Sequence, residues 1–224
     1  MAGAAVVSCE AAVAIPAFDI NVRRKLGDAS VGAAFTAEAG LTVLHGSSGA
    51  GKSSVLAMVA GLLRPDAGHV RVLGEMLFDA GAGIDRPAHR RRLGMVFQDG
   101  RLFPHMTVRA NLLYGWKLAA ENDRWIAPDA VIDFLGIETL LDRRPRTLSG
   151  GEAQRVAIGR ALLSGARALL LDEPLTALDP ARREEILRVI ERLRDELKLP
   201  MLYVTHDRDE AARLATQQVA IGRL

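Results

Sequence analysis

The sequence predicts an α/β fold in which a mainly parallel sheet is covered by helices on both faces. Three observations carry that prediction. Short apolar strands alternate with amphipathic helical segments along the chain, as strand–helix–strand units require. The run Ala168-Leu169-Leu170-Leu171 is apolar at every position, which marks a strand buried on both sides. Finally, Leu41–Leu44 runs into a glycine-rich loop that opens a helix.

Each element follows from its local pattern. Leu41–Leu44 is a strand, and Ser53–Leu63 is a helix stopped by Arg64-Pro65-Asp66-Ala67-Gly68. His69–Leu73 and Met76–Phe78 alternate about Gly74 as the arms of a hairpin. Met95–Gln98 reads as a further strand. From about Thr107 to Leu163 the period is helical, which predicts an insertion into one α/β domain. After the buried strand Ala168–Leu171, Pro180–Leu197 is a long amphipathic helix and Met201–Thr205 another strand. No internal repeat or low-complexity linker interrupts this series. The opening M-A-G-A-A-V-V-S-C-E-A-A-V-A-I-P imitates an export signal with a lipidated Cys9. No Lys or Arg precedes its apolar stretch, however, and Glu10 and Pro16 interrupt it, so a short strand with a frayed start is expected there.

Composition narrows the function. Of 224 residues, 49% are apolar and 25% charged, a globular balance that excludes a disordered or fibrous chain. A net charge of +2 gives no general attraction to nucleic acid or anionic lipid. Aromatics at 4% argue against a platform for stacking bases, and the single Cys9 excludes an intramolecular disulfide. No window approaches the ~18 uncharged apolar residues of a spanning helix, so the expected protein is soluble or peripheral. It is too short to enclose a membrane transport pathway.

Three motifs carry chemistry. Gly46-Ser47-Ser48-Gly49-Ala50-Gly51-Lys52-Ser53 fits G-x-x-x-x-G-K-[ST] at every fixed position, between a strand and a helix. Glycines let the backbone approach phosphates, successive amides form an anion nest, and the helix start adds its positive end. Lys52 should reach the β- and γ-phosphates, and the Ser53 hydroxyl should ligate Mg²⁺. Lys25, Lys52, Lys117 and Lys198 are the only lysines, and a compact ammonium suits position 52 better than a guanidinium. The buried strand ends in Asp172-Glu173. Adjacent strand residues point to opposite sides, so Asp172 is assigned to Mg²⁺ and Glu173 to polarising the attacking water as general base. Leu148-Ser149-Gly150-Gly151-Glu152 opens a further helix. It reads either as a Ser N-cap or as a second anion cradle, one that serves a nucleotide held by another subunit.

With these motifs in place, the sequence resembles the ATP-binding subunits of ABC transporters, whose second glycine motif is L-S-G-G-[EQ]. The resemblance implies a P-loop NTPase with a mainly parallel core sheet, an N-terminal antiparallel β portion and a helical insertion. It implies one domain over 1–224, with the core in about 1–98 and 165–224 and the helical subdomain in about 99–164. No C-terminal regulatory domain is expected, a departure from the many importer ATPases that carry a further β-domain, so the chain is either naturally short or a truncated form. Gln98, in Val96-Phe97-Gln98-Asp99, matches the family's glutamine loop, which touches Mg²⁺ and the lytic water. Leu175-Thr176-Ala177-Leu178-Asp179 matches the family's loop around Asp179, with Thr where Ser is commoner. His206 matches the histidine that contacts the γ-phosphate. ATP and Mg²⁺ are the implied ligands. Gly46–Ser53 and Ser54 of one copy would face Ser149, Gly150, Gly151 and Asp179 of a second, with Glu173, His206 and Gln98 catalytic.

The implied partners are a second copy, integral-membrane permease subunits and, indirectly, a substrate-binding protein, with no nucleic acid. The implied location is peripheral, on the cytoplasmic face of the cell membrane. One departure concerns the base: Arg23-Arg24-Lys25-Leu26-Gly27-Asp28 holds no aromatic where the family stacks adenine. Leu26, or the guanidinium face of Arg23 or Arg24, is the candidate substitute. The run F-Q-D-x-R-L-F-P-H, followed by V-R-x-N-L-x-Y-G, resembles molybdate importers in particular. Sulfate, polyamine and sugar importers share it more loosely. An exporter ATPase and a soluble ATPase of the same family are the remaining alternatives.

Overall fold

The computed structural model describes residues 15–222, so the strand expected near Cys9 lies outside the described residues. In chain order, β1 (Phe18–Leu26) and β2 (Ala29–Ala37) make a hairpin, and β3 (Leu41–His45) leads through a loop into α1 (Lys52–Ala60). β4 (Ala67–Val72), β5 (Glu75–Asp79) and β6 (Ile84–Asp85) form a meander, and β7 (Leu93–Val96) precedes α2 (Val108–Leu118), α3 (Pro128–Leu135) and α4 (Gly150–Leu163). β8 (Ala168–Asp172), α5 (Pro180–Asp195), β9 (Met201–Val204), α6 (Arg208–Leu214) and β10 (Gln217–Ala220) follow.

The strands divide between two sheets. One has the order β10-β3-β9-β8-β7 and is parallel at every pairing. The other, β2-β1-β4-β5-β6, is antiparallel throughout. Side-chain alternation in the parallel strands sorts the core into two clusters. Leu169 and Leu171 of β8, with Met201 and Tyr203 of β9, face the helices α3, α4 and α5. Ala168, Leu170, Leu202 and Val204 face the other way, toward α1 and the antiparallel sheet. Helix α1 is thereby sandwiched between the sheets.

The predicted hairpin about Gly74 is β4–β5, turned by Leu73 and Gly74 at φ 50° and 78°. Several predicted boundaries shift by one to three residues, two of them for a clear local reason. Helix α1 ends at Ala60 because Gly61 adopts φ 78° and returns its amide to Met58 and Ala57. Strand β7 ends at Val96, the last residue with a β8 partner, so Gln98 lies in the turn beyond it rather than in the strand.

A buried guanidinium ties the two layers together. Arg91, 3% exposed, donates from Nη1 to the Met58 and Val59 carbonyls at the end of α1, at 3.0 and 2.9 Å. Its Nε donates to the Arg86 carbonyl at 2.7 Å, and its Nη2 pairs with Asp85 of β6 at 3.2 Å. These bonds satisfy carbonyls that a helix end leaves orphaned. Burial lowers the pKa of Arg91, and the Asp85 carboxylate offsets that in part. Arg91→Met should cost about 3 kcal/mol, since it removes the side-chain donor that serves the Val59 and Arg86 carbonyls and takes a buried cation from Asp85. Urea unfolding of the two chains side by side measures it, and a loss below about 1 kcal/mol would contradict this role for Arg91.

Candidate functional site

The site is assembled where the parallel strands end. Between β3 and α1, residues 46–51 wrap into a loop in which the Ala50 amide donates to the Ser47 carbonyl at 3.1 Å. Gly51 caps α1 at φ 90°, and a Cβ there would lie 2.7 Å from Val31 Cγ1 of β2. Only glycine meets both constraints. Among the described residues, the amides of Ser48, Gly49, Gly51, Lys52 and Ser53 find no acceptor, so they are open to an anion. Lys52 is 5% exposed, and its Nζ donates to the Gly46 and Ser47 carbonyls, both at 3.0 Å. The cation is thus held against the loop itself. Ser47 and Ser48 are exposed, and Ser54 is half-buried on α1.

The two acidic residues take separate directions, although Glu173 lies past the end of β8 and off the extended backbone on which strand alternation rests. At the end of β8, Asp172 accepts a 2.7 Å hydrogen bond from Ser53 Oγ. Burial raises the Asp172 pKa, and the neighbouring Glu173 charge adds to the rise. The Ser53 hydrogen bond and the charges of Arg101 and Lys52 oppose it. Glu173 adopts φ 45°, a left-handed conformation that costs a non-glycine residue about 1 kcal/mol. Its amide donates to the Val204 carbonyl at 3.0 Å. Its Oε2 accepts from Thr176 Oγ1 at 3.1 Å and lies 3.1 Å from His206 Nδ1. His206, just past β9, is 58% exposed.

The structure therefore brings Lys52, Ser53, Asp172, Glu173 and His206 together. Gln98 stands at the same sheet edge, exposed in the turn after β7, with no side-chain hydrogen bond among the described residues. Three residues around the site escaped sequence reasoning. Arg101 stacks 3.9 Å from the Phe97 ring centre and lends charge to the Asp172 environment. Thr176 holds Glu173 through its hydroxyl. Arg160 of α4 donates to the Gly100 and Arg101 carbonyls at 2.9 and 2.7 Å, fixing the turn that follows Gln98. The composition F-Q-D-x-R contained the Arg101 signal, but a guanidinium two residues past an acid reads as an ordinary surface pair.

The second glycine motif proves to be a helix cap that still leaves donors free. Ser149 caps α4 in a capping box: its Oγ accepts from the Glu152 amide at 3.3 Å, and its amide donates to Glu152 Oε2 at 2.7 Å. Among the described residues, the hydroxyl proton and the amides of Gly150 and Gly151 have no hydrogen-bond partner. A Cβ on Gly150 would come 2.8 Å from Leu178, and one on Gly151 3.3 Å from Arg182. No atom of the 46–54 loop is among those neighbours. Asp179 caps α5, accepting from the Arg182 amide at 3.1 Å ahead of Pro180. In the stretch without an aromatic, Arg24 is engaged by the Arg64 carbonyl at 2.6 Å and by Asp66, while Arg23 and Leu26 are exposed.

A family model described as ABC transporter matches residues 32–176, more than half of the chain. The molybdenum import ATP-binding protein ModC of Rhizobium etli is 56% identical over 203 residues, which cover 91% of this chain and 57% of that protein. The protein of the same name from Paramagnetospirillum magneticum is 54% identical over 197 residues, covering 88% of this chain and 54% of its own length. The chain thus spans little more than half the length of these relatives. Among solved structures, a dimeric bacterial ABC transporter cassette superposes with a TM-score of 0.70 at 25% identity, over 91% of this chain and 92% of that one. Clostridium perfringens cbiO1, part of the ABC transporter complex cbiONQ, gives 0.77 at 24% identity, over 92% and 85%. That second likeness speaks to the fold.

The cap of α4 predicts a pH dependence. The Ser149 amide donates to the Glu152 carboxylate and lowers its pKa, with Arg143 and Arg155 adding to the effect. A carboxyl whose folded pKa lies below its unfolded value stabilises the fold above the unfolded value, and that gain disappears as pH falls through the folded one. Glu152→Gln keeps the shape and removes the charge. At pH 7 the variant should be less stable by about 0.5 kcal/mol, and the gap should close as pH falls below the ordinary glutamate range. Thermal melts of both chains across that range test it, and a gap independent of pH would refute the charge assignment.

Proposed function

The chain belongs to the ABC transporter family, and from that premise we propose that it is the ATP-hydrolysing subunit of an importer, with molybdate as the transported anion. The observation that carries the ATPase reading is the meeting of a phosphate nest, Lys52, Ser53–Asp172 and Glu173–His206 at one edge of the parallel sheet. The open amides of Ser48, Gly49, Gly51, Lys52 and Ser53 and the Lys52 ammonium suit the phosphates of ATP. The hydroxyl of Ser53 and the carboxylate of Asp172, already in contact, form a hard oxygen donor pair of the kind Mg²⁺ prefers, with Gln98 as a third candidate. Bound there, Mg²⁺ supplies charge neutralisation at the phosphate oxygens.

Glu173 performs the proton transfer. Its carboxylate accepts a proton from water as that oxygen bonds to the γ-phosphorus and the bond to the ADP oxygen breaks. Thr176 and His206 hold one carboxylate oxygen in place, and His206 is exposed enough to turn toward the γ-phosphate. The second cradle, Ser149–Gly151, has Leu178 and Arg182 as its glycine neighbours and no residue of its own chain's 46–54 segment among them. The reading therefore takes the working unit as a homodimer, each ATP lying between residues 46–54 of one copy and Ser149–Gly151 of the other. ATP then binds the closed state best, and its binding energy favours closure.

Residues 99–164 form the helical subdomain in this reading, and residues 1–98 and 165–224 the core. A groove of about 640 Å³, lined by Met95, Phe103, Tyr114, Leu118 and Arg160, offers the apolar surface on which a permease helix docks, and Tyr114 and Leu118 stand exposed there. No helix among the described residues is long and apolar enough to cross a membrane. A peripheral place on the cytoplasmic face, under a permease fed by a substrate-binding protein, follows from the reading. Molybdate rests on the names of the relatives at 54–56% identity and on the F-Q-D-x-R-L-F-P-H run.

Glu173→Gln should lower ATP turnover by at least about 10²-fold, while ATP now drives stable dimers that size-exclusion chromatography resolves. Unchanged turnover would remove Glu173 from the general-base role. In vesicles holding the co-purified membrane partner, molybdate presented by its binding protein should stimulate hydrolysis and sulfate should not. The opposite preference would overturn the substrate.

A further inference from the structure

Behind His206 lies a polar cluster that the mechanism does not use. Glu210, on α6, is 6% exposed, and its Oε2 accepts two hydroxyl hydrogen bonds: from Tyr203 at 2.8 Å and from Thr205 Oγ1 at 2.7 Å. Burial beside Glu210 raises the Tyr203 pKa, so that hydroxyl stays a donor. Thr205 Oγ1 also accepts from the Asp207 amide at 3.0 Å. Asp207 caps α6, its Oδ1 accepting from the Asp209 and Glu210 amides at 2.9 and 3.2 Å. The residues on either side of His206 are thus held by one buried carboxylate and one cap, while the imidazole itself remains exposed.

The two carboxylates share a single cation. Arg183 Nη1, from α5, lies 2.9 Å from Asp207 Oδ2 and 3.8 Å from Glu210 Oε1. Without it, a buried carboxylate and a half-buried one would face each other unneutralised. Arg183 stands one turn past Asp179, the cap of α5, and next to Arg182, against which Gly151 packs. One guanidinium therefore joins the start of α5 to the loop that carries His206. A purely structural ion pair is the competing account, and Arg183 is exposed enough for its loss to leave the fold intact.

We infer that Arg183 is a positioning residue for His206, acting through Asp207 and Glu210 so that the start of α5 and the histidine loop move as one piece. The inference rests on the ATPase reading for its effect on turnover, but not for its effect on the histidine itself. Arg183→Met keeps the aliphatic stem and removes the charge. Its turnover should fall about tenfold with KM for ATP within about twofold of the parent, because the phosphate nest is untouched. Arg183→Lys should recover at least half of the loss, since an ammonium still bridges the two carboxylates. In a His206→Ala background, Arg183→Met should have no further effect, as a double-mutant cycle requires of residues acting in series. Independently of turnover, the His206 ring resonance in the nucleotide-free chain should shift in Arg183→Met while those of His69 and His105 stay in place. Multiplicative effects in the cycle, or an unmoved His206 resonance, would overturn the inference. A parent chain that fails to hydrolyse ATP would instead overturn the ATPase reading, with the resonance still deciding this one.

Discussion

The parallel register of β3, β9, β8 and β7 is the constraint from which the site follows. Leu44 pairs with Val204, Asp172 with Val204, and Val96 with Leu171, so these four strands leave the sheet at one level. In a parallel sheet every such exit faces the same edge, where loops are free to carry polar groups while the strands stay buried. The phosphate loop, the acidic pair, the histidine and the turn with Gln98 are the four exits. A slip of one residue in β8 would turn Asp172 away from Ser53 and put Leu171 in its place. The Ser53–Asp172 hydrogen bond and the Glu173 amide bond to Val204 reinforce that register from outside the ladder.

Much of this was legible in the residues, for identifiable physical reasons. The phosphate loop, the apolar β8 and the hairpin about Gly74 follow from local chemistry, and local chemistry is what a sequence displays. Strands β1 and β2 were less visible. In β1 Phe18, Ile20 and Val22 alternate with Asp19, Asn21 and Arg23, but Arg24 and Lys25 then break the period, and Ala29–Ala37 is rich in small residues that alternate weakly. Strand β10, Gln217–Ala220, is polar at two of its four positions and is recognisable only by its partner β3. Gln98 was drawn into a strand because Met95–Phe97 is apolar. The pairing with β8, a long-range fact, stops that strand at Val96.

The site shows the same division. Adjacent carboxylates with opposite directions could be read from strand geometry, and the structure sends Asp172 to Ser53 and Glu173 to Thr176 and His206. The left-handed Glu173 could not be read, because nothing in the residue type announces positive φ. Nor could the Arg160 grip on the Gly100 and Arg101 carbonyls, which joins residues about sixty positions apart and depends on how α4 crosses the sheet edge. The Ser149 motif allowed two readings, a cap and an anion cradle. The capping box with Glu152 makes them compatible, since it uses the serine oxygen as acceptor and leaves the serine hydroxyl proton and the glycine amides without a partner among the described residues.

Helix α1 is fastened at both ends, by Ser53 to Asp172 at its start and by Arg91 to its last carbonyls. Its nine residues span about 13 Å between two sheets of different type. Such a helix acts as a dowel of fixed length. Side chains along it can be exchanged at the cost of repacking, but adding or removing a single residue would turn one fastening by about 100° relative to the other. Positions 54–60 can therefore trade one side chain for another that packs as well but are closed to insertion, whereas the hairpin tips of the antiparallel sheet can lengthen without the two sheets losing their alignment.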